Sequence, residues 1–371
     1  MLLHAAMMWF TAGVYHDGSW SALFCTGAFR PQPPSLSGEN TYLFQNATGY
    51  DGQFYHYMAH DPMPRGEMLR YMDHPRVRYR RILVPLAAHL LALGQTRWID
   101  ASFFAVLLAG VGAGGYWLSL WFTHRGLPAG LGVCFALLPP VLVAANRATV
   151  DAWLAALTVA YLLLYVRQGW RLYVVLVCAA LSRETGILLI AGHGLYCLTA
   201  RRWKDAVTYG SAALPALLWW GYVATQAPHT SAELSGWTYG FPFSGLLGQV
   251  ACRAGESVSH PLLRVFDTVC LFLTLSILIH IMWRLMRGPK GIFTCHLAGW
   301  LILSIVLASL SPALARAYWG SAFSYARSLG PMFLLWGLQP QVNWRLTGGA
   351  VSLLSLRILI DIILDSGVRN L

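Results

Sequence analysis

Apolar stretches of the length that crosses a lipid bilayer constrain the fold of this chain more than any other feature. A spanning helix needs about 20 consecutive apolar residues. Nine stretches of roughly that size lie at 100–123, 128–145, 149–166, 172–199, 206–225, 262–283, 293–310, 324–338 and 346–364. Two shorter ones lie at 1–15 and 82–95. The pattern predicts an all-α integral membrane protein with about 10–11 transmembrane helices.

The composition excludes a water-soluble globule. Hydrophobic residues make up 57% of the chain and charged residues only 11%, whereas an ordinary soluble domain has roughly 25% charged residues. The same values exclude intrinsic disorder. The formal net charge of +11 indicates an anionic partner, but the low charge content argues against a nucleic acid. The anion expected for such a chain is therefore a membrane lipid or a lipid-linked substrate.

Two long polar stretches interrupt the apolar pattern. The first, 16–81, is rich in proline, glycine, aromatic and charged residues, so we expect a structured outer loop that lies on the membrane surface. The second outer loop is 226–260. Both are treated as parts of a single transmembrane domain, 1–371. The first span is short and begins at Met1, so it is either tilted or preceded by further residues, and it lacks the features of a signal peptide.

Basic residues in the short loops predict the orientation. The segments 201–204 and 284–290 are basic and are placed inside, which puts 226–260 outside. The first loop is also outside if the N-terminus is inside. The stretch 172–199 is either one long helix or two short helices hinged at Arg183 and Glu184. These alternatives place Asp151 on opposite sides of the membrane.

The densest polar stretch surrounds Asp51, which lies between Gly49 and Gly52 in an expected turn. An aspartate beside aromatic rings at a membrane surface suits general-base catalysis, because partial burial raises its pKa toward the useful range. The alternative is an Asp-Gly turn with a solvated carboxylate. Residues 53–60 are predicted to form a short helix that stops before Pro62.

Six arginines precede the stretch at 82–95: Arg65, Arg70, Arg76, Arg78, Arg80 and Arg81. Guanidinium groups bind phosphate through two parallel hydrogen bonds. This pattern indicates either a site for the phosphate of a lipid-linked substrate or simple anchoring to anionic headgroups. The residues alone leave both alternatives open.

Charged residues inside apolar stretches indicate function, because each is costly in the bilayer core. Arg183 and Glu184 are predicted to line a polar cavity and to neutralise each other in part, although adjacent residues do not face each other on a helix. Asp151 begins another apolar stretch. It is either a carboxylate favoured by the helix dipole or a second acid of an active site.

His56 and His60 are four residues apart, so a helix would place both imidazoles on one face, as a metal site requires. Asp61 is adjacent. Two histidines are fewer than the ligands that such a site needs, so no residue is assigned as a metal ligand. No cofactor is assigned either, and a divalent metal remains compatible with the sequence.

The stretch Gly49–Tyr55, followed by Ala59–Pro62 and by His74 through Pro85, resembles a bacterial branch of the GT-C superfamily of integral-membrane glycosyltransferases. The segment Leu181–Gly186 is similar to a short polar motif of its mannosyltransferase-like members. The first loop matches well, residues 147–186 match loosely, and the last third matches in hydropathy.

The resemblance implies transfer of a sugar from a polyprenyl-phosphate-linked donor to an acceptor hydroxyl on a glycan, lipid or protein. Transfer would invert the anomeric carbon at the outer face of a bacterial inner membrane, facing the periplasm or exterior. Asp51 would be the general base and Asp151 a second acid. The remaining candidates would bind substrate: Tyr50, Gln53, Tyr55, His74, Arg76, Arg78, Arg80, Arg81, Arg183 and Glu184.

A transporter or flippase of a lipid-linked or anionic substrate is the alternative function. It would share the many spans and the basic surface. Transporters are often built from two related halves, and this sequence shows no internal repeat. The missing repeat and the polar first loop favour the transferase.

Overall fold

The structure is a computed structural model that describes residues 1–227, 241, 243–253, 261–287, 291–310, 318–339, 342 and 344–368. Helix accounts for 77% of it. The first unit contains a short parallel pair of strands, β1 (Thr26–Gly27) and β2 (Leu43–Phe44). The helices are α1 (Leu2–Phe10), α2 (Asp51–His60), α3 (Pro75–Arg78), α4 (Leu83–Leu91), α5 (Thr96–Thr123), α6 (Pro139–Arg147), α7 (Asp151–Leu164), α8 (Trp170–Ser182), α9 (Ile187–Thr199), α10 (Trp203–Gly210), α11 (Leu214–Gln226), α12 (Ser244–Arg253), α13 (Pro261–Arg287), α14 (Ile292–Ala308), α15 (Ala322–Ser328), α16 (Gly330–Gly337) and α17 (Trp344–Val368).

Three helices in the described part of the chain are long and apolar enough to cross a membrane. They are α5, the segment Leu262–Arg287 of α13 and the segment Thr347–Leu364 of α17. The turn Ala129–Leu137 and α6 form a pair bent by 55°, which makes a fourth if the pair is one span. The length and composition of these helices are typical of an all-α membrane protein. They account for fewer spans than the ten or eleven apolar stretches of the sequence.

The difference arises because several apolar stretches do not form one continuous helix. The stretch 128–145 bends where Pro139 and Pro140 begin α6. The stretch 172–199 is interrupted at Arg183, whose backbone is extended between α8 and α9. These two helices have 13 residues each, and each is therefore about 20 Å long, less than the roughly 30 Å hydrocarbon core. Of the two alternatives for this stretch, the structure shows two short helices.

The chain divides into two compact units. The first comprises Met1–Ile187, Ala212–Thr230 and Leu359–Leu371. Within it, α5 packs against α4 and α7. Two glycines of α5 permit close packing, one against α7 and one against the segment Ala129–Leu137. A Cβ on Gly110 would come within 2.8 Å of the Trp153 indole nitrogen, and one on Gly114 within 2.1 Å of the Phe135 ring.

The first loop, 16–81, is folded, as the sequence predicts. Most of α2 is buried, and Phe24, Phe54 and Met58 belong to one hydrophobic cluster. The helix begins at Asp51 rather than at residue 53, because a carboxylate in the first turn is favoured by the helix dipole. It ends at His60, before Pro62. Asp51 therefore belongs to a helix, and the expectation of an Asp-Gly turn is wrong.

The second unit comprises Leu188–Ser211 and Ser231–Ile358. In it, α14 packs against α13 and α16. Arg357 on α17 donates a hydrogen bond of 2.8 Å to Asp267 on α13. The predicted second outer loop, 226–260, lies largely outside the described residues, which there include the helix α12.

Candidate functional site

The candidate site is built around Asp51, the first residue of α2. A Cβ on the following Gly52 would come within 2.3 Å of the carbonyl oxygen of Arg147, so only glycine lets α2 begin directly against the end of α6. Gln53 fixes the backbone beside it. Its amide nitrogen donates to the carbonyl of Thr48 at 3.1 Å, and its amide oxygen accepts from the N–H of Gly27 at 3.3 Å. Gln53, predicted to bind substrate, thus holds the loop that carries Asp51.

Arg78 links two carboxylates. It donates one hydrogen bond of 2.6 Å to Asp51 and two, of 2.9 and 2.8 Å, to Asp73. Its guanidinium also lies over the Phe54 ring, 4.7 Å from the centroid. Burial alone would lower the pKa of Arg78, but the charges of Asp51 and Asp73 outweigh burial and raise it. Arg78 is therefore permanently charged and already matched by carboxylates.

Arg81 forms the second centre of the same network. It donates to both carboxylate oxygens of Glu184, at 2.8 and 2.6 Å, and to the hydroxyl of Tyr55 at 2.7 Å. The second oxygen of Asp51 lies 3.8 Å from Arg81. Burial opposes the charge of Arg81, but Glu184 more than compensates and raises its pKa. The structure thus brings five of the candidates into one network: Asp51, Tyr55, Arg78, Arg81 and Glu184.

Asp151 and Arg183 form a separate ion pair. Asp151 is the first residue of α7, and its side chain is 4% exposed. Arg183 and Glu184 interact electrostatically, as expected, but each has a closer partner elsewhere. Arg183 pairs with Asp151 and Glu184 pairs with Arg81, because the extended backbone at Arg183 sends the two neighbouring side chains to different partners.

The other candidates lie at the rim of the network. Arg76 donates to the carbonyl of Ala227 at 2.9 Å, and the backbone N–H of His74 donates to Asp73 at 2.7 Å. Tyr50 lies beneath the guanidinium of Arg147, 5.5 Å from its ring centroid. None of these contacts indicates a catalytic role for Arg76, His74 or Tyr50.

Arg80 differs from its arginine neighbours. Its guanidinium lies 5.6 Å from the ring centroid of Trp220. Within the described part of the chain it forms no ion pair, and its buried Nε has no hydrogen-bond partner. Unlike Arg78 and Arg81, Arg80 is therefore not matched by a carboxylate of the described chain.

Two residues of the site were not singled out from the sequence. Asp73 takes two hydrogen bonds from Arg78, and no local spacing rule connects a loop aspartate to an arginine five residues later. Tyr79 is fully buried, and its hydroxyl donates to the carbonyl of Asp61 at 3.0 Å, while its backbone carbonyl accepts from the indole of Trp219 at 2.6 Å. Burial raises the pKa of Tyr79, so its hydroxyl is a structural donor.

The network contains three carboxylates, from Asp51, Asp73 and Glu184, and two guanidinium groups, from Arg78 and Arg81. If all are ionised, their sum is one negative charge. The side chain of Asp51 is 17% exposed and that of Glu184 is 29% exposed. A partly exposed carboxylate of this network can therefore accept a proton or a hydrogen bond from a hydroxyl group. Binding of an anion would require a further cation or a change of partners.

No protein-family model, curated protein or solved structure matches this chain. The resemblance to the GT-C superfamily therefore stays a prediction from the sequence. The function proposed below is therefore argued from the geometry of the site.

Proposed function

We propose that the protein is a membrane glycosyltransferase of the GT-C type that transfers a sugar from a polyprenyl-phosphate-linked donor to an acceptor hydroxyl with inversion. The proposal includes about 10–11 transmembrane helices and a site at the outer face of a bacterial inner membrane. The observation that carries it is the contact of 2.6 Å between Asp51 and Arg78, with Arg81 at 3.8 Å from the same carboxylate. A carboxylate that can act as a base thus lies beside two guanidinium groups, and its side chain is 17% exposed.

Asp51 acts as the general base in this proposal. A hydrogen bond from Arg78 favours the ionised form of this carboxylate, which is the form that can accept a proton. The same contact weakens Asp51 as a base. When the donor phosphate approaches Arg78, it competes for the guanidinium, and the carboxylate regains basicity as the acceptor hydroxyl binds. Base activation is thereby coupled to donor binding.

The donor phosphate is held in the proposal by Arg80, with Arg76 beside it. Arg78 and Arg81 are matched by carboxylates, whereas Arg80 has no acidic partner among the described residues. A cation near the leaving phosphate stabilises the charge that develops there and lowers the barrier. The phosphate of a polyprenyl donor lies at the headgroup level of the bilayer, where we place the first loop.

The first prediction tests the base. Asp51→Asn keeps the size and the hydrogen-bonding oxygen of the side chain but removes its ability to accept a proton, so we expect transfer to fall about 100-fold or more. The measurement uses the purified full chain, a panel of polyprenyl-phosphate sugars and mass spectrometry of the products. Glu67→Gln is the matched control, because Glu67 is an exposed carboxylate of the same loop.

Wild-type turnover in the Asp51 variant would rule out the base assignment. Absence of product with every donor, together with movement of a labelled polyprenyl-phosphate sugar across a vesicle membrane, would support the transporter or flippase instead.

A further inference from the structure

A second polar cluster lies in the first unit, on the other face of α2. It comprises Glu39 from the first loop, His56 and His60 from α2, and Asp100 from the first turns of α5. His56 is fully buried, and its ring stacks on Phe24 with centroids 4.1 Å apart. Side chains from three separate segments therefore converge on one point beside an immobilised imidazole.

The separations within this cluster are those of ligands around one metal ion. The Nε2 atoms of His56 and His60 are 3.1 Å apart, and Asp100 Oδ1 lies 2.8 Å from His56 Nε2. The Glu39 oxygens lie 3.4 Å from His60 Nε2 and 3.8 Å from His56 Nε2. A tetrahedral zinc site with bonds of about 2.0–2.1 Å has ligand atoms about 3.3 Å apart, within the range observed.

If both carboxylates are ionised, the contact with Asp100 places a proton on His56 Nε2, and the contact with Glu39 places one on His60 Nε2. Two N–H groups would then face each other across 3.1 Å, so hydrogen bonds satisfy the cluster only when a carboxyl group is protonated. In the described part of the chain, no arginine or lysine forms an ion pair with Glu39 or Asp100. A cation between the four side chains satisfies every one of them.

We propose that Glu39, His56, His60 and Asp100 bind a zinc ion or a transition-metal dication with similar ligand preferences. Two imidazole nitrogens and carboxylate oxygens suit zinc, whereas magnesium and calcium prefer oxygen ligands. The metal links the segment around Glu39 to α2 and to the start of α5. This inference does not rest on the proposed transferase activity, and Asp61, which caps its own turn at Met63, is not a ligand.

The test uses the purified full chain in detergent with any affinity tag removed. The protein is stripped with a chelator, dialysed against buffered zinc and analysed for metal by mass spectrometry. We expect about one zinc per chain. His60→Gln removes one ligand and should weaken zinc binding about tenfold or more. His124→Gln is the matched control, because His124 is exposed at the end of α5, and should bind zinc like the wild type.

A second variant, Glu39→Gln, covers the case in which His60→Gln does not fold, since Glu39 lies in the loop and is only half-buried. It should also bind zinc more weakly, and a chelator should lower the melting temperature of the wild type more than that of the variant. A wild-type protein that stays free of zinc overturns the proposal. Equal zinc binding by wild type, Glu39→Gln and His124→Gln overturns it as well.

Discussion

The two polar faces of α2 differ in how their buried polar and charged side chains are compensated. On one face, Asp51 and Tyr55 meet Arg78 and Arg81, and carboxylates and guanidinium groups match each other through short hydrogen bonds. On the other face, His56 and His60 meet side chains that offer lone pairs. Tyr55 and His56 are consecutive and therefore point about 100° apart, so one helix serves both environments.

Local charge balance therefore determines what each face can bind. The arginine face supplies its own cations, so an incoming group there must exchange partners with existing ion pairs. The histidine face has lone pairs that converge without a cation among the described side chains. It is therefore suited to take up a metal ion in exchange for protons, with no ion pair to an arginine or lysine of the described chain to break. Four substitutions test this contrast.

The largest effect on stability is expected from Arg81→Gln. The change leaves Glu184, whose side chain is 29% exposed, without the cation that holds both of its oxygens. Breaking such a pair should lower the free energy of unfolding by about 2–3 kcal/mol, less than for a fully buried pair. Chemical denaturation of the detergent-solubilised protein measures the loss. An unchanged denaturation midpoint would show that this face does not depend on its ion pairs.

Arg80→Gln is the matched variant for Arg81→Gln. Arg80 contacts the ring of Trp220 and no carboxylate of the described chain, so its replacement should change stability by about 0.5 kcal/mol or less. If Arg80 binds the donor phosphate, the variant should instead raise the apparent donor KM. Arg81→Gln would then lower mainly the stability of the protein, and Arg80→Gln mainly its affinity for the donor.

Gly52→Ala should affect the arginine face alone. A Cβ there would come within 2.3 Å of the Arg147 carbonyl oxygen and 2.8 Å of that of Phe24, so the N-terminus of α2 must shift. We expect a loss of about 1–2 kcal/mol and a displaced Asp51. Zinc binding at the far end of the helix should persist. Gly38→Ala is the control, since no atom lies within 4 Å of its Cβ position; equal melting temperatures of the two variants would contradict the prediction.

Local patterns in the sequence predicted what local physics controls. The end of the helix before Pro62 is predicted from proline's effect on the preceding residues, whereas its start at Asp51 is not, because the sequence indicates a turn there. The interruption at Arg183 and Glu184 is one of the two alternatives that the sequence leaves open, and the cost of two charges within an apolar stretch accounts for it. These features depend on residues close together in the chain.

Partners distant in the chain could not be predicted in the same way. Glu184 reaches Arg81 across about a hundred residues, and Asp100 reaches His56 from a different helix. The pair His56 and His60 was visible by its spacing, but the carboxylates that complete the cluster come from a loop and from α5. Spacing along one helix reveals a shared face, whereas only tertiary packing determines what that face meets.

A smaller loss of stability than for Arg81→Gln or Gly52→Ala is expected from Asp73→Asn. Burial alone would raise the pKa of Asp73, but the hydrogen bonds and charge of Arg78 lower it below its ordinary value of 3.8. A carboxylate with a lowered pKa stabilises the folded state above its unfolded pKa, and this contribution is lost as pH falls through the folded pKa. The variant should therefore be about 1 kcal/mol less stable than the wild type near neutral pH. The difference should shrink below about pH 4, as denaturation curves over a pH series would measure. A difference that stays constant into acid would mean that Asp73 acts by packing, and the arginine face would then owe less to charge than its contacts with Arg78 indicate.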